Sequence, residues 1–216
     1  MRPEAFWQGF VTDAPPPPWQ GAYPATMPDG RILLLPIRPL GEGETALASL
    51  ILNQAGFAVE RAVADLLAAR LRPLKPDIVV GLPTLGLTLA RAVAERLGHS
   101  RYVPLGTSQK FWYDPALSVP LRSITSPDSE KRLYLDPRLR PLLPGRRIAL
   151  IDDVISTGRS ISAGLDLLSL AGVTPIVIGT AMLQTDRSTA LLEQRGFASV
   201  HVFKSPLLTW GGTGWV

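Results

Sequence analysis

The chain has 216 residues, of which 46% are hydrophobic and 19% are charged, and its net charge is +4. This balance is typical of a folded domain with a full core and excludes an intrinsically disordered protein. The absence of cysteine excludes disulfides, zinc–cysteine sites and thiol catalysis, and two histidines are too few for a histidine-rich metal cage. No apolar stretch reaches the ~20 residues of a spanning helix and the N-terminus has no secretory pattern, so we expect a soluble cytoplasmic protein.

The first 43 residues are rich in proline and aromatic side chains. Four consecutive prolines, residues 15–18, predict an extended arm, because proline cannot continue a helix. Residues 28–30, Pro-Asp-Gly, predict a turn, and the apolar run 31–37 after them predicts a strand, so we expect a small hairpin. Pro36 lacks a backbone donor, which predicts that this strand lies at the edge of a sheet.

A long helix is predicted over residues 44–72, ending before Pro73, and Gly56 marks either an interruption or a bend in it. The chain then alternates between short apolar runs and helical patterns. Strands are predicted at 77–82, 101–105, 148–151, 175–181 and 200–203, and helices at 85–97, 160–170 and 186–194. Apolar strands separated by helices predict an α/β fold, in which a parallel sheet is covered on both faces and ligands bind at the carboxyl ends of the strands.

A long connection, residues 106–145, separates the second predicted strand from the third. A connection of this length is usually functional or contains strands of its own. Residues 122–124 and 132–135 are predicted to pair as a hairpin. We interpret the whole segment as a mobile cover.

The segment most informative about function is IALIDDVISTGRS, residues 148–160. Four apolar residues predict a buried strand, and Asp152 and Asp153 follow at its carboxyl end. The next residues are Ser156, Thr157, Gly158, Arg159 and Ser160. This small-residue loop opens a helix, so its amides, hydroxyls and positive helix end can bind one phosphate, while the two acids suit ribose hydroxyls or water on a divalent cation. The pattern predicts a sugar-phosphate pocket; the alternative is an ordinary strand–helix turn.

The segment resembles the phosphoribosyl pyrophosphate (PRPP) motif of the type I phosphoribosyltransferases: an apolar strand, two acids, two apolar residues, then a small-Thr-Gly-x-Ser/Thr loop. The resemblance implies that Asp152 and Asp153 hold the ribose hydroxyls and that residues 156–160 hold the 5′-phosphate. It extends over about residues 76–203.

The same resemblance implies the architecture of the whole chain, residues 1–216, as a single domain. We expect a core over about residues 44–203, with a central parallel sheet flanked by helices. We also expect a long flexible loop over about residues 106–145. Both ends of the chain, residues 1–43 and 204–216, would form a small hood that recognises the nucleobase.

Family members place a pyrophosphate-binding loop after the first core strand, where this chain has GLPTLG, residues 81–86. By resemblance, pyrophosphate would be bound by Pro83, Thr84, Leu85 and Gly86. The basic residue frequent in this loop is absent here, so backbone amides and a hydroxyl would hold the anion. Lys110 and Arg132 in the long connection are the basic side chains that would meet the pyrophosphate, and Lys110 is a candidate catalytic residue beside the two acids. Ordinary turn chemistry and solvated surface charges are the alternatives.

The implied reaction is Mg²⁺-dependent displacement of pyrophosphate from C1 of PRPP by a nucleobase nitrogen, as in nucleotide salvage. Magnesium would be held mainly by PRPP, with Asp152 or Asp153 contacting it through water. Ser156 stands where members acting on hypoxanthine and guanine usually have aspartate, which leaves adenine, xanthine, orotate and uracil. The long connection followed by LPGRRIALIDDV is most similar to the adenine phosphoribosyltransferases. Family members are commonly homodimers.

The sequence Thr-Gly-Arg-Ser at 157–160 also resembles uracil-sensing attenuation regulators of the same fold, which bind RNA. A PRPP- or nucleotide-sensing regulator that binds nucleic acid is therefore an alternative function. It predicts a basic face, for which the candidates are Arg138, Arg140, Arg146 and Arg147. A third interpretation is a relative that binds its ligand and has lost the transfer activity. It applies if the 81–86 loop, which has no charged side chain, does not hold pyrophosphate. We expect PRPP and a nucleobase as ligands, rather than nucleic acid or a membrane.

Overall fold

The computed structural model describes residues 2–41, 43–121, 131–185 and 187–216. The first part of the chain contains β1 (Ala22–Thr26), β2 (Ile32–Pro39), β3 (Thr45–Ala48), α1 (Phe57–Leu71), β4 (Ile78–Gly81), α2 (Gly86–Arg96) and β5 (Val103–Pro104). The second part contains β6 (Ser118–Pro120), β7 (Arg132–Tyr134), β8 (Ile148–Ile155), α3 (Arg159–Leu170), β9 (Pro175–Gln184), α4 (Arg187–Gln194), β10 (Ser199–Ser205) and β11 (Leu207–Thr209). No helix in these ranges is both long and apolar enough to cross a membrane.

The core is a five-stranded parallel sheet in the order β10-β9-β8-β4-β5. Helices α1 and α2 cover one face, where Leu67 and Val93 share a buried cluster with Ile151. Helices α3 and α4 cover the other face, where Leu165 and Leu192 belong to a second cluster. The predicted α/β architecture is therefore confirmed.

The strand order creates a crevice at the carboxyl ends of β4 and β8. From β4 the chain crosses to β5 on one side, and then returns to β8 on the other side of β4. The connections that leave β4 and β8 therefore diverge, and open α/β sheets bind ligands at such a switch point. The loops after these two strands are residues 82–85 and 156–158.

A second sheet is built from both ends of the chain, in the order β1-β2-β3-β11 with antiparallel pairing. The backbones of Trp19 and Trp215 exchange two hydrogen bonds of 2.8 and 2.7 Å, which join the N-terminal arm to the C-terminal tail. On β9, Gln184 Nε2 donates to the carbonyl oxygen of Ala48 on β3 at 2.8 Å. This buried bond ties the second sheet to the core.

The predicted helix over 44–72 is wrong in its first half, because residues 45–48 form β3 and the helix α1 begins at Phe57, after Gly56. The side chains at 46, 48 and 50 are buried while those between them are more exposed. This period of two is typical of a strand, and pairing of β3 with β2 and β11 overrides the helical propensity of its Ala and Leu residues.

The prediction of an edge strand at 31–37 is also wrong, because β2 pairs with β1 on one side and with β3 on the other. The carbonyl oxygen of Pro36 accepts a hydrogen bond from the backbone N–H of Ser49 at 3.0 Å. The N–H and C=O of one residue in an antiparallel strand face the same neighbour. The N–H that Pro36 lacks would therefore face β3. Pro36 stands at the last residue of the β2–β3 pairing, so the missing donor interrupts no hydrogen bond beyond it.

The connection at 106–145 carries a hairpin of β6 and β7, in which Val119 pairs with Leu133. The predicted strand at 132–135 is confirmed as β7, whereas its predicted partner, 122–124, lies outside the described residues. Val119 and Leu133 are buried in the same cluster as α3. The described part of this connection is thus packed against the core at its base.

Candidate active site

The acid pair lies within the last four residues of β8, which continues beyond the predicted strand to Ile155. Asp152 and Asp153 are each 6% exposed. One carboxylate oxygen of Asp152, Oδ1, accepts the backbone N–H of Asp153 at 2.9 Å. On β9, Thr180 Oγ1 donates to the carbonyl oxygen of Asp153 at 2.7 Å. Neighbouring backbone and a buried hydroxyl therefore fix the position of the pair.

Burial and mutual repulsion alter the protonation of this pair. Burial, followed by the charge of Asp153, raises the pKa of Asp152 well above its usual range. Burial also raises the pKa of Asp153, while hydrogen bonds from Asp152 and from backbone N–H groups oppose that rise. The pair therefore resists carrying two negative charges, and hydroxyl donors or a cation at this position would stabilise its ionised form.

The loop after β8 presents an uncapped helix terminus. Gly158 has φ of +75°, a conformation that favours glycine, and it is the N-cap residue of α3 without any side-chain capping bond. The first helical bond runs from Ser162 N–H to the Gly158 carbonyl oxygen at 2.8 Å. The amides of residues 159–161 precede that bond and belong to the positive end of a 12-residue helix.

The predicted phosphate-loop residues all belong to this terminus. Thr157, Arg159 and Ser160 are exposed, and Ser156 is half-buried. The amides and hydroxyls of the loop lie next to the acid pair in sequence and at the carboxyl end of the same strand. This arrangement is suited to an anion whose neighbouring part carries hydroxyl groups.

The loop after β4 contacts the acid pair directly. Leu82 N–H donates to the carbonyl oxygen of Ile151 at 2.9 Å. Gly86 begins α2 so close to β8 that a Cβ atom there would lie 2.7 Å from Oδ1 and 2.8 Å from Cα of Asp152. A glycine is required because no side chain fits this approach. The first turn of α2, like that of α3, has no side-chain cap.

The other predicted pyrophosphate residues have unequal exposure. Thr84 is exposed, and Pro83 and Leu85 are half-buried. The peptide bond between Pro83 and Thr84 is cis. Residues 81–86 include no basic side chain, so their positive potential comes from backbone amides and the α2 terminus alone.

Lys110 and Arg132, the basic residues of the long connection predicted to meet pyrophosphate, form no hydrogen bond or ion pair with the acid pair in the described part of the chain. Lys110 is exposed, and its carbonyl oxygen accepts the backbone N–H of Tyr113 at 2.9 Å. The guanidinium of Arg132 donates to Ser118, from Nε to Oγ at 3.0 Å and from Nη2 to the carbonyl oxygen at 3.1 Å. Arg132 therefore braces the β6–β7 hairpin, and the pyrophosphate role of both residues remains a prediction.

Sequence reasoning missed Thr180 and a cluster around Asp136. Thr180 is a fully buried polar residue in the apolar run of β9, and that contrast is the signal that could have revealed it. Asp136 accepts hydrogen bonds from Arg138 and, more weakly, from Trp112 Nε1 at 3.4 Å. The Arg138 side chain lowers the pKa of Asp136 to about 2. This ion pair fixes the start of the segment that returns from the hairpin to β8.

The acid pair is the candidate position for a cation in this site. Within the described ranges, no group of three or more His, Cys, Asp or Glu side chains converges on one position. Magnesium prefers one or two carboxylates, water and substrate phosphates over an all-protein cage. Asp152 and Asp153 fit that mode of binding, because they are adjacent carboxylates whose charges repel each other.

Comparison with known proteins identifies the family and several relatives. A model of the phosphoribosyl transferase domain matches residues 52–206. A xanthine phosphoribosyltransferase from Chloroflexus aurantiacus is 31% identical over 133 residues, which is 60% of this chain and 59% of that protein. An adenine phosphoribosyltransferase from Oenococcus oeni is 32% identical over 102 residues, 47% of this chain and 54% of that protein. The bifunctional protein PyrR from Leuconostoc mesenteroides is 33% identical over 108 residues, 49% of this chain and 56% of that protein. The alignments thus span a little over half of these relatives.

The fold is shared with solved structures. An adenine phosphoribosyltransferase from Thermoanaerobacter pseudethanolicus superposes with a TM-score of 0.57 at 20% identity, covering 68% of this chain and 81% of that one. The Giardia lamblia enzyme complexed with 9-deazaadenine gives 0.56 at 22% identity, covering 68% and 80%. At these identities the likeness establishes the architecture and not the substrate. The fold expected from the motif at 148–160 is confirmed.

Proposed function

This chain belongs to the phosphoribosyl transferase domain family, and we propose that it transfers the phosphoribosyl group of PRPP to a nucleobase, with release of pyrophosphate and with magnesium as the cofactor. The observation that carries the proposal is the pair of buried acids on β8 beside the uncapped start of α3. The acids accept hydrogen bonds from the ribose hydroxyls, and the amides and hydroxyls of residues 156–160 donate hydrogen bonds to the 5′-phosphate oxygens.

Substrate binding relieves the electrostatic cost of the acid pair. Ribose hydroxyls donate to Asp152 and Asp153, and a magnesium ion bound mainly through PRPP oxygens supplies positive charge beside them. Both interactions favour the ionised carboxylates that burial disfavours. Binding of PRPP is therefore expected to release a proton from the pair.

The chemical step is a substitution at the ribose C1 atom. The bond between C1 and the diphosphate oxygen breaks, and the diphosphate leaves with the electron pair. A nucleobase nitrogen forms the new bond to C1 and gives up its proton, which the departing diphosphate accepts. Amides of residues 82–86 at the start of α2 stabilise the negative charge that develops on the leaving group. Gly86 holds that helix start against Asp152, so the sugar and diphosphate subsites keep a fixed separation. Lys110 and Arg132 are assigned to the diphosphate when the long connection covers the site.

We infer that the accepted base is a purine, with adenine as the first candidate. Several relatives are named adenine phosphoribosyltransferases, and one is named xanthine phosphoribosyltransferase. Ser156 replaces the aspartate that is usual in members acting on hypoxanthine and guanine. We also expect a homodimer, which light scattering of the purified chain will test.

The test is a panel of adenine, xanthine, hypoxanthine, guanine, orotate and uracil with PRPP and Mg²⁺, with pyrophosphate release as the readout. We expect release with adenine above all others and a loss of at least ~100-fold in Asp153→Asn. Asp166→Asn is the matched control, because that exposed α3 aspartate pairs with Arg195, away from the site. A folded wild-type chain that releases pyrophosphate with none of the six bases contradicts the proposal.

A PRPP- or nucleotide-sensing regulator is the second candidate, favoured by the relative named PyrR. The basic face predicted for such a regulator has four arginines, and two of them already have partners within the chain. Arg138 is paired with Asp136, and Arg147 donates to the backbone carbonyls of Leu74 and Lys75. RNA binding that falls steeply with salt, in a chain inactive with every base, would favour the regulator.

A further inference from the structure

Two clefts lie side by side away from the acid pair. The first, here called the edge cleft, has a volume of about 590 Å³ and runs between α2 and the edge strand β5. The second, here called the amino-end cleft, has a volume of about 450 Å³ and is lined by residues that precede β4, β5 and β8. They share the consecutive residues His99, Ser100 and Arg101 as a common wall. The amino-end cleft is thus separated from the 82–86 loop by the four-residue length of β4, about 13 Å.

Three arginines line the two clefts without partners. Arg91 lies in the edge cleft, Arg146 in the amino-end cleft, and Arg101 in both. In the described part of the chain, none of these three guanidiniums takes part in a hydrogen bond or an ion pair. By contrast, Arg96 on the same helix as Arg91 is paired with Asp65. The two clefts therefore carry three arginines whose charges are not paired within the described residues.

Two carboxylates share the clefts with these arginines. Glu95 lines the edge cleft and Asp77 the amino-end cleft. Asp77 Oδ2 already accepts the backbone N–H of Arg147 at 2.8 Å. Three guanidiniums against two carboxylates leave an excess of positive charge that a phosphate would neutralise, and the planar guanidinium is the side chain best matched to phosphate oxygens.

The edge cleft supplies a tyrosine ring, which the lining of the amino-end cleft does not include. Its walls include Tyr102, Pro104 and Leu139, whereas the amino-end cleft is the more polar of the two. The volume of the edge cleft falls in the range of small-molecule sites, about 300–1,000 Å³. His99 Nε2 donates to the carbonyl oxygen of Pro76 at 2.9 Å, which holds the imidazole in the shared wall. A ligand that spans both clefts would place a flat ring on one side of this wall and an anion on the other.

We propose that the two clefts form a second site, which binds a nucleoside monophosphate. The phosphate lies in the amino-end cleft with Arg101 and Arg146, and the base lies in the edge cleft against Tyr102. Asp77 and Glu95 accept hydrogen bonds from the ribose hydroxyls and from the N–H groups of the base. The site is independent of the proposed transfer reaction.

Calorimetric titration with AMP at low salt tests this site by its stoichiometry. We expect two equivalents for the wild-type chain, one in the phosphate loop and one in the clefts. Thr157→Glu places a carboxylate in the exposed phosphate loop, and it is expected to retain one equivalent. Arg101→Gln and Arg146→Gln are each expected to weaken that retained binding at least about tenfold. Arg70→Gln on the exposed side of α1 is the charge-matched control and leaves binding unchanged.

The outcomes separate this site from the proposed transferase. AMP binding that Thr157→Glu abolishes entirely, or that Arg101→Gln leaves as tight as in the wild type, overturns the second site. The wild-type chain could instead bind one equivalent of AMP, with binding that persists in Thr157→Glu and weakens in Arg101→Gln. That result supports the second site and contradicts the phosphate loop. Adenosine binding as tight as AMP overturns the phosphate assignment, and inorganic phosphate binding as tight as AMP overturns the nucleotide assignment. Thermal melting of each variant verifies that it is folded.

Discussion

Gly86→Ala is the sharpest test of the contact between the two loops of the site. A Cβ atom at this position would lie 2.7 Å from Oδ1 and 2.8 Å from Cα of Asp152, and 3.2 Å from the carbonyl oxygen of Ile151. Real Cβ contacts essentially never fall below 3.0 Å, and the Cα and carbonyl atoms belong to the central strand, so they cannot rotate away. The start of α2 must therefore move outward by roughly half an ångström or more.

Two opposing contributions set the size of the effect. Inserting a methyl group into a packed contact costs about 1–3 kcal/mol, whereas replacing a helical glycine by alanine gains up to about 1 kcal/mol. The clash is the larger, so Gly86→Ala is expected to destabilise the chain by about 1–2 kcal/mol. For a chain of this size that corresponds to a melting temperature lower by roughly 2–8 °C. Displacement of the 82–86 amides should also lower pyrophosphate release by more than about tenfold.

The measurements are thermal unfolding by circular dichroism and initial rates of pyrophosphate release. Gly21→Ala is the matched control, since nothing lies within 4 Å of its Cβ position and its φ is not positive. The control is expected to stay within about 0.5 kcal/mol of the wild type. A Gly86→Ala variant that melts at or above the temperature of the control, with unchanged rates, would refute the close approach of α2 to Asp152.

Three further predictions concern buried polar groups. Since burial raises the pKa of Asp152, the wild type loses stability as the pH rises above the unfolded pKa of about 3.9. Asp152→Asn should therefore be inactive, melt at a higher temperature than the wild type at pH 7–8, and melt at the same temperature near pH 4. Equal melting temperatures at pH 8 would count against the buried charge. Arg138 lowers the pKa of Asp136 to about 2, so this pair stabilises the folded chain fully above pH ~4 and less and less towards pH 2. In Asp136→Asn the melting temperature should therefore fall less steeply between pH 4 and pH 2 than in the wild type. An equally steep fall would contradict the pairing. Gln184→Leu leaves the carbonyl oxygen of Ala48 unpaired and should cost about 1–3 kcal/mol, with faster amide exchange in β3 and unchanged exchange in β8.

The sequence could predict the strand, the acid pair and the helix-opening loop of the candidate site because these parts are contiguous. The strand, the acids and the predicted phosphate loop occupy residues 148–160. Parts that follow each other directly along the chain must also lie next to each other in the structure. The parallel sheet followed from the same kind of local signal, namely apolar runs alternating with helices. What local pattern could not show is that Thr180 on β9 and Gly86 on α2 close around Asp152, because those contacts depend on which strands are neighbours.

The errors have the same origin. Residues 45–48 have helix-forming composition, yet they become β3 because β2 and β11 offer backbone partners on both sides. Pro36 would exclude a central position if it lay in the middle of a ladder, but it stands at the last rung. At residues 45–48 distant pairing outweighs a local preference that is worth less than about 1 kcal/mol per residue for ordinary residues.

The same division between local and distant contacts predicts that the two roles in the proposed reaction, transfer and recognition of the base, lie in different parts of the chain. Residues 148–160 form one continuous segment, so substitutions there are expected to change whether any phosphoribosyl transfer occurs. The second sheet is assembled from both ends of the chain, which the backbone pairing of Trp19 with Trp215 joins, and the bond from Gln184 to Ala48 ties it to the core. If this sheet recognises the base, substitutions in it should change the ranking of bases in the panel while the magnesium and PRPP requirements stay the same. A variant in this sheet that loses activity with all six bases equally, yet remains folded, would show that recognition of the base is located elsewhere.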